Sequence, residues 1–230
     1  MNHRFFVPDG IEIGATIALS DEERHHARVL RVRDGEEVEL FDARGRNFVA
    51  RFSENGVIIL NETVNREPSA AIHLAMSIIQ LDKFELVLQK ATELGVRSII
   101  PLITERIEIR AERYRGKAER WEKIVFEAVK QTGRGVIPRV EAPQELEAAL
   151  DRENKILFDA DAVSTATCPP SPSAVTLFIG PEGGWTDNEI ALALARECAI
   201  ERLGPRRLRA ETAAIAACVV VEARWGDLNR

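Results

Sequence analysis

The stretch FIGPEGGWTDNEI, from Phe178 to Ile190, places three glycines around a single acid between an apolar segment and a helix start. The helix start is indicated by Thr186 and Glu189, which have the spacing of a capping box. Glycine-rich turns between a strand and a helix are common nucleotide sites in α/β proteins. The glycine spacing fits neither a P-loop nor the dinucleotide fingerprint G-x-G-x-x-G, so another ligand is indicated.

Glu182, the acid in this turn, restricts the ligand further. A carboxylate is poorly suited to face a di- or triphosphate, because like charges repel. The turn is better suited to a nucleoside without phosphates, such as S-adenosylmethionine, which carries a sulfonium and an amino acid. The alternative is a tight turn whose glycines only satisfy backbone geometry. This stretch alone does not separate the two interpretations.

A second stretch, ERLGPRRLRAETAAIAACVVVEARW from Glu201 to Trp225, favours the ligand site. It contains a Gly-Pro turn at Gly204, a group of three arginines, and then an apolar run from Ala213 to Val221. Such a run predicts a helix without a polar face, which must be covered on most sides. Its small residues would let a second helix approach closely, so we expect a dimer contact rather than a merely buried C-terminal helix.

The elements that must position these turns follow from the hydrophobic pattern. Three strand-like segments come first, and a polar linker containing Pro68 follows them. These strands are predicted at Glu36–Asp42, Asn47–Ser53 and Gly56–Glu62. After the linker, apolar strands alternate with helices, which predicts a parallel sheet with helical crossovers. The strands are predicted at Ile72–Ile79, Val96–Leu102, Lys155–Ala160 and Ala174–Gly180, and the helices at Asp82–Gly95 and around Ala111–Gln131.

The composition is that of a soluble globular protein of one large or two small domains, with 230 residues, 45% of them hydrophobic and 30% charged. No run approaches the roughly 18 apolar residues of a membrane span, and no secretory signal is visible. Cys168, Cys198 and Cys218 lack metal-ligand spacing and do not suggest a disulfide framework. The sequence therefore predicts a cytoplasmic protein without a membrane segment or a metal.

The charge is unevenly distributed, although the net charge of −6 argues mildly against a nucleic-acid partner. Between Arg106 and Arg139, ten Lys or Arg residues stand against five acids, whereas between Val140 and Glu201 twelve acids stand against three bases. Local patches set the field that a polyanion experiences. On charge alone, the basic stretch is more typical of a solvated helix face than of an RNA site.

Six stretches spread along the chain resemble the RsmE family of SPOUT-class RNA methyltransferases, which methylates N3 of a uridine in 16S ribosomal RNA. Their common order makes the resemblance more specific than any single motif. They are HHARVLR (25–31), QKATELGV (89–96), PLITER (101–106), RWEKIVFEAVKQTGR (120–134), IGPEGGWTDNEI (179–190) and LGPRRLRAETAAIAA (203–217).

The resemblance implies an α/β fold of two domains. Residues 1–68 would form a PUA-like RNA-binding β-barrel, and residues 72–230 a SPOUT domain with a parallel sheet and a C-terminal trefoil knot. Nothing in the periodicity indicates the knot, and knots are rare. The resemblance also implies a homodimer, S-adenosylmethionine as cofactor, and 16S rRNA or the small ribosomal subunit as partner.

The candidate site residues lie in these motifs or close to them. The cofactor would be held by Leu177, Ile179, Gly180, Pro181, Gly183, Gly184, Leu203, Gly204, Leu208, Thr212 and Ala213. Arg209 is the first candidate for stabilising negative charge on the target base, while Glu211 or Glu182 would orient the base or accept its proton. The candidate RNA contacts are His25, His26, Arg28, Arg31, Arg106, Arg110, Arg134 and Arg139.

Two alternatives to this function remain open from the sequence. One is a SPOUT methylase that acts on another RNA or another atom. The other is a non-catalytic RNA-binding factor in ribosome assembly that has kept the fold, although the intact glycine turns argue against it. For Arg209, the alternative to catalysis is a salt bridge to Glu211 or to a helix end.

Overall fold

The computed structural model describes residues 3–109, 111–162 and 172–228, which form two compact units. The first unit comprises the chain as far as Glu67 together with Phe126–Ile137, and the second comprises Pro68–Val125 and the chain from Pro138 onward. The sequence division into residues 1–68 and 72–230 differs from this at Phe126–Ile137. That segment begins inside the charged helix predicted around Ala111–Gln131 and extends past its end, and its hydrophobic pattern does not show which core it joins.

The first unit is built on a five-stranded sheet in the order β1-β3-β4-β5-β2. The β1–β3 pair is parallel, and the other pairs are antiparallel. Apolar side chains from the sheet and the helix form its core, including Phe5, Leu40, Phe48 and Ile59. The elements are β1 (Arg4–Phe6), β2 (Thr16–Ile17), α1 (Asp21–Val29), β3 (Glu37–Phe41), β4 (Asn47–Ser53) and β5 (Gly56–Thr63).

Charged side chains bind the segment Phe126–Ile137 within the first unit. The guanidinium of Arg4 is buried and donates to the carbonyl of Val129 at 2.7 Å, to the carbonyl of Arg134 and to Asn47. Burial lowers the pKa of Arg4 to about 10. The charge is retained at neutral pH and satisfied by these acceptors, so the strand and the segment are tied together.

Arg134 contributes to the same network, in contrast to the RNA contact expected from the sequence. Its side chain is buried and pairs with Glu67 at 2.6 Å. The same carboxylate accepts the amides of Gly135 and Val136 at 3.0 and 3.1 Å. Because the guanidinium is enclosed and paired, the structure gives Arg134 a structural role.

The second unit contains the predicted parallel sheet, which is confirmed with seven strands. Its order is β12-β10-β11-β6-β7-β8, with β9 also pairing with β7, and every pairing is parallel. The elements are β6 (Ala71–Ser77), α2 (Leu81–Glu93), β7 (Ser98–Ile103), α3 (Ala111–Tyr114), α4 (Ala118–Thr132), β8 (Arg139–Val140), β9 (Gln144–Glu145), α5 (Leu146–Ala149), β10 (Lys155–Phe158), β11 (Ala174–Ile179), α6 (Asp187–Ala195), β12 (Ala199–Glu201) and α7 (Ala210–Trp225).

The differences from the predicted elements have local causes. The helix expected around Ala111–Gln131 is divided into α3 and α4, because Gly116 between them has φ +75°. The short elements β1, β2, β8, β9 and α5 were not predicted, since two to four residues give too little periodicity to recognise. The helix α1 was also missed, although Ser20 caps it by accepting the amide of Glu23.

Burial explains the apolar sequences of the central strands. Almost every residue of β6 and β11 is buried, as expected of parallel strands covered on both faces. The helix α7 packs against α2, β6 and β11 and buries Ala214, Ala217, Cys218 and Val221. Within the ranges described, no helix has both the length and the apolar character needed to cross a membrane.

The turn between β4 and β5 provides a test of the first unit. Gly56 has φ +142°, and a Cβ atom there would lie 2.2 Å from the carbonyl oxygen of Ile17. Gly35 has φ +81° with open space around it, so it is a matched control. We expect Gly35→Ala to cost about 1 kcal/mol through backbone strain alone and Gly56→Ala at least about twice that. Thermal denaturation of both variants measures this, and equal losses would contradict the packing at Gly56.

Candidate active site

Three adjacent strands of the second unit end at the same level and form the base of a cavity. The register aligns Phe158 of β10 with Ile179 of β11 on one side and Glu201 of β12 on the other. The residues that follow these strands line a cavity of about 790 Å³. Ligands of open α/β sheets bind beyond the carboxyl ends of the strands, and this volume is typical of a small-molecule site.

The first turn is positioned by Trp185, which lies against its backbone. A Cβ atom at Gly180 would lie 3.0 Å from the Trp185 ring, so any larger residue there would require the ring to shift. The indole nitrogen of Trp185 donates to the carbonyl of Phe158 at 3.1 Å, in a buried hydrogen bond. The turn after β11 is thereby attached to the end of the neighbouring strand β10.

The remainder of this turn is fixed by its own hydrogen bonds. The amide of Gly184, at φ +69°, donates to the carbonyl of Pro181 at 2.9 Å. The predicted capping box is confirmed, since Thr186 accepts the amide of Glu189 and Glu189 accepts the amide of Thr186. From the loop after β7, Arg106 donates to the carbonyls of Gly183 and Trp185.

The second turn follows β12 and forms the opposite wall of the cavity. Gly204 has φ +82°, which explains the glycine of the Gly-Pro pair. The guanidinium of Arg202 donates to the carbonyl of Pro205 at 3.1 Å. Arg207 pairs with Asp161, which follows β10, at 2.7 Å. The second turn is therefore stabilised by a hydrogen bond within the turn and by an ion pair to the end of β10.

The start of α7 brings a cation and a carboxylate to the cavity. Arg209 is the N-cap residue of α7 and is exposed. Glu211 lies in the first turn of the helix, and its Oε2 atom is buried without a hydrogen-bond partner among the described residues. A buried carboxylate oxygen requires a hydrogen-bond donor or a cation, so a ligand that supplies one is indicated.

Most of the predicted site residues are brought together in this cavity. Those that line it are Arg209, Glu211, Glu182, Ile179, Gly180, Pro181, Gly183, Gly184, Leu203, Gly204, Leu208 and Ala213. The cavity lining does not include two others. Leu177 is completely buried inside β11, and Thr212 is exposed on α7.

Several lining residues were missed by the sequence argument. The largest omission is the end of β10, because its place between β11 and β12 depends on a strand order that the sequence does not reveal. One signal for this strand end was available in the sequence: the strand-like segment KILF (Lys155–Phe158) is followed by two acids, Asp159 and Asp161. The additional lining residues include Phe158, Asp159, Asp161, Lys83, Trp185, Arg202, Arg206 and Arg207.

The predicted RNA contacts are dispersed over both units. In the first unit, His25, Arg28 and Arg31 are exposed on or just after α1, whereas His26 is partly buried and contacts Lys130 at 3.2 Å. In the second unit, Arg139 is exposed on β8. Arg106 lines the cavity, and Arg110 lies outside the described residues.

Comparison with known families identifies the class to which this fold and cavity belong. A model described as an RNA methyltransferase domain matches residues 65–222, and one described as an RNA methyltransferase PUA domain matches residues 19–59. The chain is therefore an α/β protein of the RNA methyltransferase class, with a PUA-like domain before the methyltransferase domain.

Individual relatives specify the family. The chain is 30% identical to the ribosomal RNA small subunit methyltransferase E of Buchnera aphidicola, covering 98% of this chain and 95% of that relative. It is 34% identical to the protein of the same name from Synechocystis, covering 97% and 78%. The chain belongs to the ribosomal RNA small subunit methyltransferase E family, which confirms the resemblance found in the sequence.

Solved structures extend this relationship to the three-dimensional fold. The crystal structure of a ribosomal RNA small subunit methyltransferase E from Neisseria gonorrhoeae bound to S-adenosylmethionine has a TM-score of 0.89 and 35% identity, covering 99% of this chain and all of that chain. A methyltransferase from Legionella pneumophila, in complex with the same cofactor, has a TM-score of 0.87 and 36% identity with the same coverage.

Proposed function

We propose that this protein uses S-adenosylmethionine to methylate N3 of a specific uridine in 16S ribosomal RNA. The observation that carries the proposal is the cavity formed by two glycine turns, which follow β11 and β12 on either side of β10, with Arg209 and Glu211 on its wall. Membership of the family and the cofactor-bound neighbours support the reaction class. The choice of uridine N3 comes from the resemblance of the motifs.

The residues present fit this cofactor. The turns at Gly180–Gly184 and at Gly204 offer backbone rather than side chains to a ligand, which suits the close approach of an adenosine. Asp159, directly after β10, also lines the cavity, and the cofactor carries an ammonium group and a sulfonium, which an acid attracts. Neither feature calls for a phosphate, consistent with the exposed acid Glu182 in the first turn.

The cofactor would be held by the backbone of both turns. Ile179 and Leu208 line the cavity and would supply apolar surface for the adenine, with Leu203 beside them. Ala213, on α7, lines the same cavity and is small enough to leave room. When bound, the cofactor supplies a methyl group on a sulfonium, an electrophile that needs no further activation.

The chemical task of the protein is then to orient a uridine and to manage its N3 proton. N3 becomes a nucleophile when its proton leaves, and negative charge then develops on the base and its carbonyl oxygens. The guanidinium of Arg209 lines the cavity without a hydrogen bond to another side chain among the described residues, so it is available to stabilise that charge.

Of the two candidate carboxylates, the structure favours Glu211 over Glu182. The Oε2 atom of Glu211 is buried with no partner among the residues with described positions, whereas Glu182 is an exposed residue of the turn. A buried acceptor is held in place and loses less to water, so it can orient the N3–H group or receive its proton. We therefore assign this role to Glu211.

RNA binding would use exposed cations on each unit. Arg28 and Arg31, with His25, form an exposed basic group at α1, within the region that matches the PUA domain. Arg206 and Arg207 line the cavity and provide positive charge beside the target base. Phosphate contacts of this kind position RNA without reading its sequence. We expect the protein to act in the cytoplasm, where ribosomal subunits are assembled.

We also propose a homodimer formed through α7. One face of this helix is buried inside the unit, yet Ile215, Ala216 and Val220 on its other side are only partly covered and Val219 is 39% exposed. An apolar helix with an uncovered face is stabilised by a partner surface. The C-terminal knot implied by the family resemblance stays a prediction.

The reaction is tested by mapping modified nucleotides in ribosomal RNA from a strain that lacks this gene. We expect mass spectrometry to show the loss of one N3-methyluridine from 16S rRNA and its return when the gene is restored. An unchanged rRNA with an altered tRNA would support a methylase of another RNA. An unchanged modification pattern together with no binding of S-adenosylmethionine in calorimetry would support a non-catalytic assembly factor.

The role of Arg209 is tested by Arg209→Ala. Because its charge would act on the transition state, we expect the methylation rate to fall about 100-fold or more. The dissociation constant of the cofactor, measured by calorimetry, should change less than about threefold. Arg196→Ala is the control, since Arg196 pairs with Asp151 and Glu147 away from the cavity. Parallel losses of rate and cofactor affinity would make Arg209 a cofactor contact instead.

The dimer is tested by light scattering. We expect a mass of twice 25.7 kDa for the native protein and a shift toward the monomer in Val219→Asp, which places a charge on the apolar face of α7. Leu194→Asp is the control because Leu194 is also exposed, at 47%, but lies on α6. A monomeric native protein would refute the dimer without affecting the proposed reaction.

A further inference from the structure

The loop after β7 holds the first glycine turn through two charged side chains. Arg106 belongs to this loop, and its Nη1 atom donates to the carbonyls of Gly183 and Trp185 at 2.8 and 3.0 Å. The buried carboxylate of Glu189 accepts the amide of Thr186 at 2.9 Å and the amide of Glu105 at 3.0 Å. The loop therefore contacts the turn through Arg106, and the helix that follows the turn contacts the loop through Glu189.

These and neighbouring hydrogen bonds pair several backbone polar groups of the turn with partners inside the protein. The carbonyls of Gly183 and Trp185 are bonded to Arg106, the amide of Gly184 to Pro181, and the amide of Thr186 to Glu189. These four polar groups belong to two peptide units, Gly183–Gly184 and Trp185–Thr186, and are satisfied within the protein itself. No bound ligand is needed to complete them, so this part of the turn is formed in advance of binding.

The loop that carries Arg106 is itself anchored in the sheet. Thr104, at its start, is buried, and its hydroxyl lies 2.7 Å from that of the buried Ser77 at the end of β6. The amide of Ile107 donates to the carbonyl of Thr104 at 3.2 Å. Because Thr104 is anchored in the sheet and the turn from Thr104 to Ile107 is closed by a hydrogen bond, Arg106 reaches the glycine turn from a supported position.

We propose that Arg106 is a positioning residue, which keeps the first glycine turn in its cofactor-binding shape before the cofactor arrives. This assignment rests on the proposed function for the identity of the cofactor. It gives Arg106 a role other than the RNA contact expected from the sequence, because its Nη1 atom already donates to both carbonyls. Glu189 has the matching role at the helix side of the turn.

The test uses Arg106→Ala in the full-length protein without ligand. We expect hydrogen exchange at the amides of Gly184 and Thr186 to increase about tenfold or more, because two charge-assisted bonds to the turn are lost. The affinity for S-adenosylmethionine should fall about tenfold, while kcat at saturating cofactor and the KM for RNA change less than about threefold. Arg106→Lys keeps a cation and should give intermediate exchange.

The control is Arg120→Ala, which removes a comparable ion pair with Glu85 elsewhere in the second unit and should leave exchange in the turn unchanged. If Arg106→Ala does not fold, Glu189→Gln replaces it, since glutamine keeps one acceptor oxygen and loses the other. Unchanged exchange would overturn the proposal, whether cofactor affinity falls or the KM for RNA rises. Exchange is measured without ligand, so it decides the proposal even if the native protein binds no cofactor.

Discussion

The site depends on the parallel pairing of β12, β10 and β11, which brings three strand ends to one level. The pairing aligns Phe158 with both Ile179 and Glu201, so the chain leaves all three strands at the same edge. The residues that follow each strand then form one wall of the cavity. Two of the walls are glycine turns, and the third carries Asp159 and Asp161. A change in strand order would separate these walls even if every local turn were kept.

The local chemistry was predictable because it is encoded over a few residues. The glycine turn, the capping box of Thr186 and Glu189, and the Gly-Pro turn at Gly204 are all short-range features. The strands of the parallel sheet were predictable for a related reason, since strands buried on both faces show continuous apolar runs. The sequence thus predicted both glycine turns of the cavity wall and the α/β class.

The remainder depends on contacts between residues that are distant in the chain. Arg106 and Gly183 are 77 positions apart, and Arg134 and Glu67 are 67 apart, so neither pairing leaves a periodic signal. Both arginines were candidates for RNA contacts from the sequence. In the structure Arg134 is buried with a carboxylate and the exposed Arg106 donates to two carbonyls of the glycine turn, so a cation can have a protein partner where a phosphate contact was expected. The end of β10 was missed because strand order is likewise a long-range property.

The first glycine turn and the unpartnered Oε2 atom of Glu211 have different roles in the proposed site. The turn would bind the cofactor, and the oxygen would interact with the target base. In the first glycine turn, Arg106, Glu189 and Pro181 already satisfy backbone groups, so under the proposal less ordering remains when the cofactor binds. Arg209 and Glu211, which line the cavity, are the residues to which we assign the part of the reaction where charge develops. Methyl transfer from an activated donor requires mainly position and a dry, charged surrounding for the acceptor. A rigid glycine turn would fix the position of the cofactor. Arg209 and Glu211, whose side chains have no other partner among the described residues, would remain free to interact with the target base.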